Sequence, residues 1–234
     1  HQLVFADATV VLPSVGERTY HGRAGGTPPR RHVRKLRQAN RVRPASAMLK
    51  DYTFKNPPYA QIHEHLAPGL GEHAQREDYE HFDYPGRYKK DASGKPFTRH
   101  RLESLRADAT TAEAESDLPE LAPGICFTLT DHDIDSLNQA WQVVSVVHHG
   151  EQPQALEEDG MARGGNGSGA SAAQAGELMT RYHNDVVIMP KDQTFRPVPN
   201  PKPRVDGPQV AFVVGPEGEE IYCDEHGRVK VQFP

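Results

Sequence analysis

GPQVAFVVGPEGEEIYCDEHGRVKVQFP, residues Gly207–Pro234, reads as strand-like runs set between tight turns. Val210–Val214 is apolar and β-branched, and Gly215-Pro216-Glu217-Gly218 has turn chemistry. Glu220–Asp224 is a second run, His226-Gly227 a second turn, and Val229–Phe233 alternates apolar with polar residues. Alternation over such a span gives one buried and one wet face. Three strands cannot close a barrel or cover their own edges. The stretch therefore reads as the opening of a β-domain that the chain only begins, and the chain as a piece of a longer protein.

Upstream, the signals are again short strands and turns. The chain has 234 residues, of which 36% are hydrophobic, with 20 glycines and 20 prolines. That composition favours many short strands over long helices. Leu3–Phe5 and Ala8–Leu12 read as short strands that end at Pro13. Arg43–Pro57 is a strand candidate, and residues 60–80 read as a polar, histidine-rich surface stretch. Helical spacing of Phe97, Leu102, Leu105, Ala109 and Ala112 predicts a helix over about residues 96–115, with Pro96 in its first turn. Leu121–Thr130 and Ala140–His149, the latter rich in Val and holding the sole Trp, predict a hairpin with a long loop. Residues 151–176 are a Gly/Ser/Ala-rich loop with little to bury. Glu177–Met189 is the returning strand, and Pro190–Pro208 is a stiff, extended connector.

The formal net charge of −5 gives no general attraction to nucleic acid or to anionic membranes. The one basic run, Arg30 to Arg43, reads as a solvated connector, with an acidic protein partner as the functional alternative. It holds no aromatic residue to stack on bases, so nucleic acid ranks below both. The two cysteines, Cys126 and Cys223, sit in predicted strands without zinc spacing and read as buried free thiols. No stretch approaches a membrane-spanning helix in length, and the N-terminus lacks the pattern of a signal peptide.

Several polar clusters invite chemistry. His63-Glu64-His65, with His73 and His81 nearby, is the best metal candidate. In a strand, alternate histidines share a face and could hold Zn²⁺ with a third ligand. The spacing is not that of the HExxH zinc helix, and surface histidines are the ordinary reading. Asp131, Asp133 and Asp135 lack the glycine and the downstream glutamate of a calcium loop. His148-His149 with Ser145 makes no nucleophile elbow. Glu219-Glu220 and Asp224-Glu225 lack the apolar pocket a glycosidase acid needs. No glycine loop has phosphate-cradling context. The expectation is no catalytic residue, no cofactor and no metal, with His63 and His65 the weak candidates and a metal-dependent hydrolase the enzymatic alternative.

The pattern GPQ-AFVVGP-GEEIY-DE-GRVKVQF resembles the segment that opens the oligonucleotide/oligosaccharide-binding (OB) type barrel of the VgrG family, the valine-glycine repeat spike proteins of type VI secretion. ANRVRPASAMLKDYTFKNP, FDYPGRY, RHRLESLRADA and the LAPG…FTL…W-V--V-H-G stretch resemble the family's phage-hub-like part, in the family's order. The resemblance implies a mainly β fold with one helix, an antiparallel hub-type β-barrel followed by the opening strands of an OB-type barrel. It implies three segments: 1–35, the remnant of an upstream hub barrel with the basic connector; 36–200, the hub-like barrel domain; and 201–234, the proline-rich linker and incomplete OB-type barrel. It also implies a structural role as the trimeric platform that joins a tail tube to a puncturing needle and carries effectors. The implied partners are two further copies in the full-length protein, a tail-tube hexamer of the haemolysin-coregulated type, baseplate proteins, and a tip protein with effectors. The implied location is the bacterial cytoplasm during assembly, then secretion or injection into a target cell. The hub of a phage tail or tailocin fits the same residues.

Overall fold

The computed structural model describes residues 5–22, 28, 30–73, 75–152, 181–219 and 222–234. The strands are β1 (Ser14–Thr19), β2 (Val33–Asn40), β3 (Ser46–Asp51), β4 (Gln61–Leu66), β5 (Glu80–Asp83), β6 (Thr110–Ser116), β7 (Cys126–Thr130), β8 (Ala140–Glu151), β9 (Arg181–Pro190), β10 (Phe212–Val214) and β11 (Lys230–Gln232). Among the described residues one α-helix, α1, spans Asp91–Leu105. The described fold is mainly β with one helix, as the sequence indicates. No helix among the described residues is long and apolar enough to cross a membrane.

The chain divides into two compact units. The first comprises His1–Pro44, Gly71–Gln75 and Glu103–Pro197. It is a curled six-stranded sheet in the order β1-β7-β8-β9-β6-β2. Neighbours pair antiparallel except β1 and β7, which run parallel. The two edges meet at one corner: Tyr20 forms a parallel bridge to Val33, and the His21 amide donates to the Val33 carbonyl at 2.8 Å. That contact removes part of the exposed edge that an open sheet leaves unpaired. The concave face holds Val33, Ala112, Ala114, Leu118, Leu121, Phe127, Leu129, Trp141, Val143, Val186 and Ile188 as one buried cluster. Burying each large member is worth about 1.5–3 kcal/mol.

The predicted β7–β8 hairpin and the returning strand β9 are present, and the loop predicted over 151–176 lies, from residue 153, outside the described residues. Other expectations need correction. Thr9–Val11 is a short 3-10 turn with Val10 and Val11 exposed, and the N-terminal strand starts only after Pro13. Residues 3 and 4 of the other predicted strand lie outside the described residues. The helix begins earlier than predicted, at Asp91, whose charge suits the amide-rich N-terminus, and it ends at Leu105. Thr110–Ser116 is a strand. Its alanines were read as a continuing helix, but Ala112, Ala114 and Ser116 point inward while Glu113 and Glu115 point outward, a period of two. The basic run is no connector from Val33 onward, because β2 pairs with β6 over seven registered positions.

The second unit comprises Ala45–Leu70, Arg76–Leu102 and Val198–Pro234. Its three-stranded sheet has the order β4-β3-β5, with β3 antiparallel to β4 and parallel to β5. The stretch over residues 60–80, expected to be a surface loop, thus supplies β4 and the first residue of β5. The core is built from small residues: Ala45, Ala47, Ala67, Leu70 and Leu102. The helix buries Gly94, Thr98 and Leu102, spaced four apart, while Phe97 is exposed. At Gly94 a Cβ would collide with the His63 ring, so the residue is small because the strand side chain lies against it. Residues 194–206 form no helix or strand, in keeping with a proline-rich connector. Further on, β10 and β11 pair antiparallel, with Cys223 bridged to Val229. Phe212, Val213, Val231 and Phe233 all remain exposed. Residues 220 and 221 of the middle run lie outside the described residues. Cys126 is buried, and burial pushes its thiol pKa up, whereas Cys223 is exposed, contrary to the expectation of two buried thiols.

Candidate functional site

On the convex face of the first unit, the ladder fixes which side chains meet. Lys35 pairs with Glu115, Glu115 with Asp185, and Asp185 with Val147, so one rung crosses β2, β6, β9 and β8. Glu115 receives Lys35 Nζ at 2.6 Å and Arg34 Nε at 3.1 Å. The Lys35 hydrogen bond, helped by both positive charges, holds its carboxyl below the usual range. Part of the basic run is thus paired within the chain, with Glu115 of β6.

The next rung along β8 and β9 pairs His149 with His183. Their rings stack 4.6 Å apart at 13°, as adjacent side chains on one face of an antiparallel pair do. His149 Nε2 lies 3.1 Å from Asp185 Oδ2. One ligand atom from each of His149, His183 and Asp185 falls within 4.8 Å of the others. Among the described residues this is the one group whose side chains could converge on a metal ion. His148 points to the other face and meets the Tyr182 hydroxyl at 2.6 Å.

His63 and His65 lie on β4, half-buried and on one face. His63 Nε2 sits 2.8 Å from Asp91 Oδ1 and its ring packs on Tyr88. Tyr59 also donates to Asp91, and that bond, with His63 and Lys95, holds the Asp91 carboxyl low. His65 and His81 flank Ala47 from either side in the sheet register. His81 Nε2 stands 3.2 Å from Asp83 Oδ2, and Arg101 Nε donates to Asp83 at 2.7 Å. His63 and His81 are thus drawn into separate pairs, with Asp91 and Asp83. The side chain of His73 lies outside the described residues.

The acidic clusters have structural work. Asp131 takes a positive φ of 62° at a turn, and the loop after it is tied by Asn138, which accepts from the His132 amide and donates to the His132 carbonyl. Asp224 accepts from the amides of His226 and Arg228 and from the Arg228 side chain, a turn-closing role that lowers its pKa strongly.

Comparison with known proteins places these features in a family. A profile of the phage tail baseplate hub (GPD) matches residues 1–154. The chain belongs to this hub family. Over its whole length it is 44% identical to the type VI secretion system spike protein VgrG3 of Vibrio cholerae and covers 21% of that protein. It is 43% identical to the V. cholerae protein named actin cross-linking toxin VgrG1, covering 20%. It is 42% identical to spike protein VgrG2b of Pseudomonas aeruginosa, covering 22%. The chain thus spans about a fifth of the length of these relatives. The resemblance to VgrG read from the sequence therefore extends from end to end of the hub chain. A solved E. coli type VI secretion component, described as structurally similar to T4 bacteriophage tail proteins gp27 and gp5, aligns with 87% of this chain and 72% of its own at 12% identity, with a TM-score of 0.41.

The His149–His183–Asp185 group was invisible in the sequence as a cluster. His148-His149 was noted at a strand end, but its partners lie beyond a long Gly/Ser/Ala-rich stretch. Only the register of β8 on β9 brings them together.

Proposed function

We propose that this chain is the hub portion of a type VI secretion spike, a structural element and not an enzyme. The observation that carries the reading is end-to-end similarity above 40% to proteins named as spike proteins. The full protein forms a homotrimer. It docks on a tail-tube hexamer of the haemolysin-coregulated type, engages baseplate proteins, and carries a tip protein and effectors. It assembles in the bacterial cytoplasm and is then secreted or injected. The β10–β11 pair begins an OB-type spike base; its apolar side chains lie exposed and need cover from further strands or further copies. The toxin name belongs to a relative of which this chain spans only 20%, so no cross-linking activity is assigned. His63, His81 and Asp224, among the side chains that suggest chemistry, are engaged in ion pairs or a turn, which suits a scaffold.

Export of the tube protein tests this reading. Deleting the parent gene should abolish tube protein in the culture medium. The intact gene should restore it, and a version lacking the segment encoding this chain should not. Unchanged export after deletion would overturn the proposal. The family description also admits a phage-tail hub; tail and capsid genes beside the parent gene would assign it there.

A further inference from the structure

We propose that His149, His183 and Asp185 form a binding site for a divalent transition metal of the Zn²⁺ class. The argument begins with donor chemistry. Two imidazoles and one carboxylate make a nitrogen–oxygen set suited to Zn²⁺, and three protein ligands leave a fourth tetrahedral position for water. Ligand atoms about 2.1 Å from a tetrahedral ion stand about 3.4 Å from one another. His149 Nε2 and Asp185 Oδ2 are 3.1 Å apart, and the three ligand atoms already lie within 4.8 Å of one another. Completing the set requires the His183 ligand nitrogen to draw closer to the other two.

The scaffold supports the geometry. All three residues lie on β8 and β9, which are paired from Trp141–Pro190 to Glu151–Arg181. The two histidines occupy one rung and Asp185 the adjacent rung, so their Cβ atoms are held by the ladder and not by a loop. His149 and Asp185 are exposed and His183 half-buried, so an ion can enter from solvent. Asp185 supplies the negative charge of the set. Asp185 neighbours Glu115 on β6, two carboxylates side by side. Glu115 is neutralised by Arg34 and Lys35. His149 is the group that faces Asp185, and a bound cation would replace that contact with a stronger one. The bound ion would tie β8 to β9 at the end of the ladder that precedes and follows residues 153–180 in the sequence.

The test is a titration of the chain, free of any histidine tag, with Zn²⁺ against a chromogenic chelator. One ion per chain should bind with micromolar or tighter affinity. His149→Ala and His183→Ala should each weaken binding about tenfold or more, at least what losing an outer-shell partner costs a metal site. Asp185→Asn should weaken it as well. A His63→Ala/His65→Ala variant should bind like the wild type. Zn²⁺ should raise the melting temperature of the wild type and not of His149→Ala/His183→Ala, whose circular dichroism should match the wild type because both positions are accessible to solvent. Absence of binding by the wild type would overturn the proposal. So would wild-type affinity in His149→Ala/His183→Ala, or loss of binding on replacing His63 and His65.

Discussion

The carboxamide of Asn184 accepts a hydrogen bond from the hydroxyl of Ser116 across the β6–β9 ladder, with both residues wholly buried. Asn184 Nδ2 also donates to the Leu118 carbonyl at 2.7 Å and to the Tyr182 hydroxyl at 3.0 Å. The cluster is satisfied only as a set. Asn184→Ala leaves the buried Ser116 hydroxyl without its acceptor, at about 1–3 kcal/mol, and leaves the Leu118 carbonyl with the longer bond from the Leu121 amide at 3.4 Å. The variant should therefore unfold at a clearly lower urea concentration. Ser116→Ala should cost less, and the double variant less than the sum, because both single changes break the same bond. Additive losses would show that the two side chains do not cooperate.

Trp141 faces Phe127 in the β7–β8 register and is fully buried, with its indole Nε1–H donating to the Leu137 carbonyl at 3.0 Å. Trp141→Ala should destabilise by about 3–5 kcal/mol through the cavity it leaves. Trp141→Phe keeps most of the volume but removes this hydrogen bond, for about 1 kcal/mol, because the Leu137 carbonyl still accepts from the Gln139 amide at 2.9 Å. As the single tryptophan it also reports its own burial: emission should be blue-shifted in the folded protein and move to the red in urea. Red-shifted emission in native buffer would contradict the buried placement.

Arg43 grips Asp108 through two bonds, Nε to Oδ1 at 2.7 Å and Nη2 to Oδ2. The Arg43 hydrogen bonds, outweighing burial, hold the Asp108 carboxyl below its usual value. A depressed carboxylate stabilises the fold above its unfolded pKa of about 4, and the gain is lost as pH falls through the lower folded value. Both side chains are partly exposed, so the gain is about 1 kcal/mol or less. Asp108→Asn should be slightly less stable than the wild type at pH 7, and the two should converge in acid once pH falls below the depressed folded value. A difference that persists there would assign the effect to something other than charge.

What the sequence disclosed depended on how local each signal was. β8 was legible because Val143, Val144, Val146 and Val147 form a β-branched run that needs no context. The turns at Gly218 and Gly227 were legible because both take positive φ, which glycine adopts freely. β2 was hidden, since Arg34, Lys35 and Arg37 suit a strand only once Glu115 and Glu113 stand opposite, and a bulge between Val33 and Lys35 breaks the alternation. β6 was hidden because alanine has high helix propensity and tertiary packing overrode it. His63 and His65 were legible as a pair on one face, but not the capture of His63 by Asp91. His183 and Asp185 could not be joined to His149 without the register.

Tyr88 offers a test at the alkaline end. Its ring is buried in the second unit and its hydroxyl donates to the Leu49 carbonyl at 3.1 Å. Burial, reinforced by the nearby charges of Asp51 and Asp91, pushes its pKa up to about 12. The unfolded phenol titrates near 10, so between those values the unfolded chain releases a proton that the folded chain retains. Rising pH therefore favours unfolding across that window, by on the order of 2 kcal/mol at its upper end. Tyr88→Phe removes one hydrogen bond, for about 1 kcal/mol at neutral pH, and also removes this titration. The wild type should be the more stable of the two at pH 7, the gap should close above pH 10, and the order should reverse as pH approaches about 12. Of the eight tyrosines, phenolate absorbance should show one fewer ionising late in the variant than in the wild type. A gap that stays constant from neutral to alkaline pH would mean that Tyr88 is not held in its neutral form by burial.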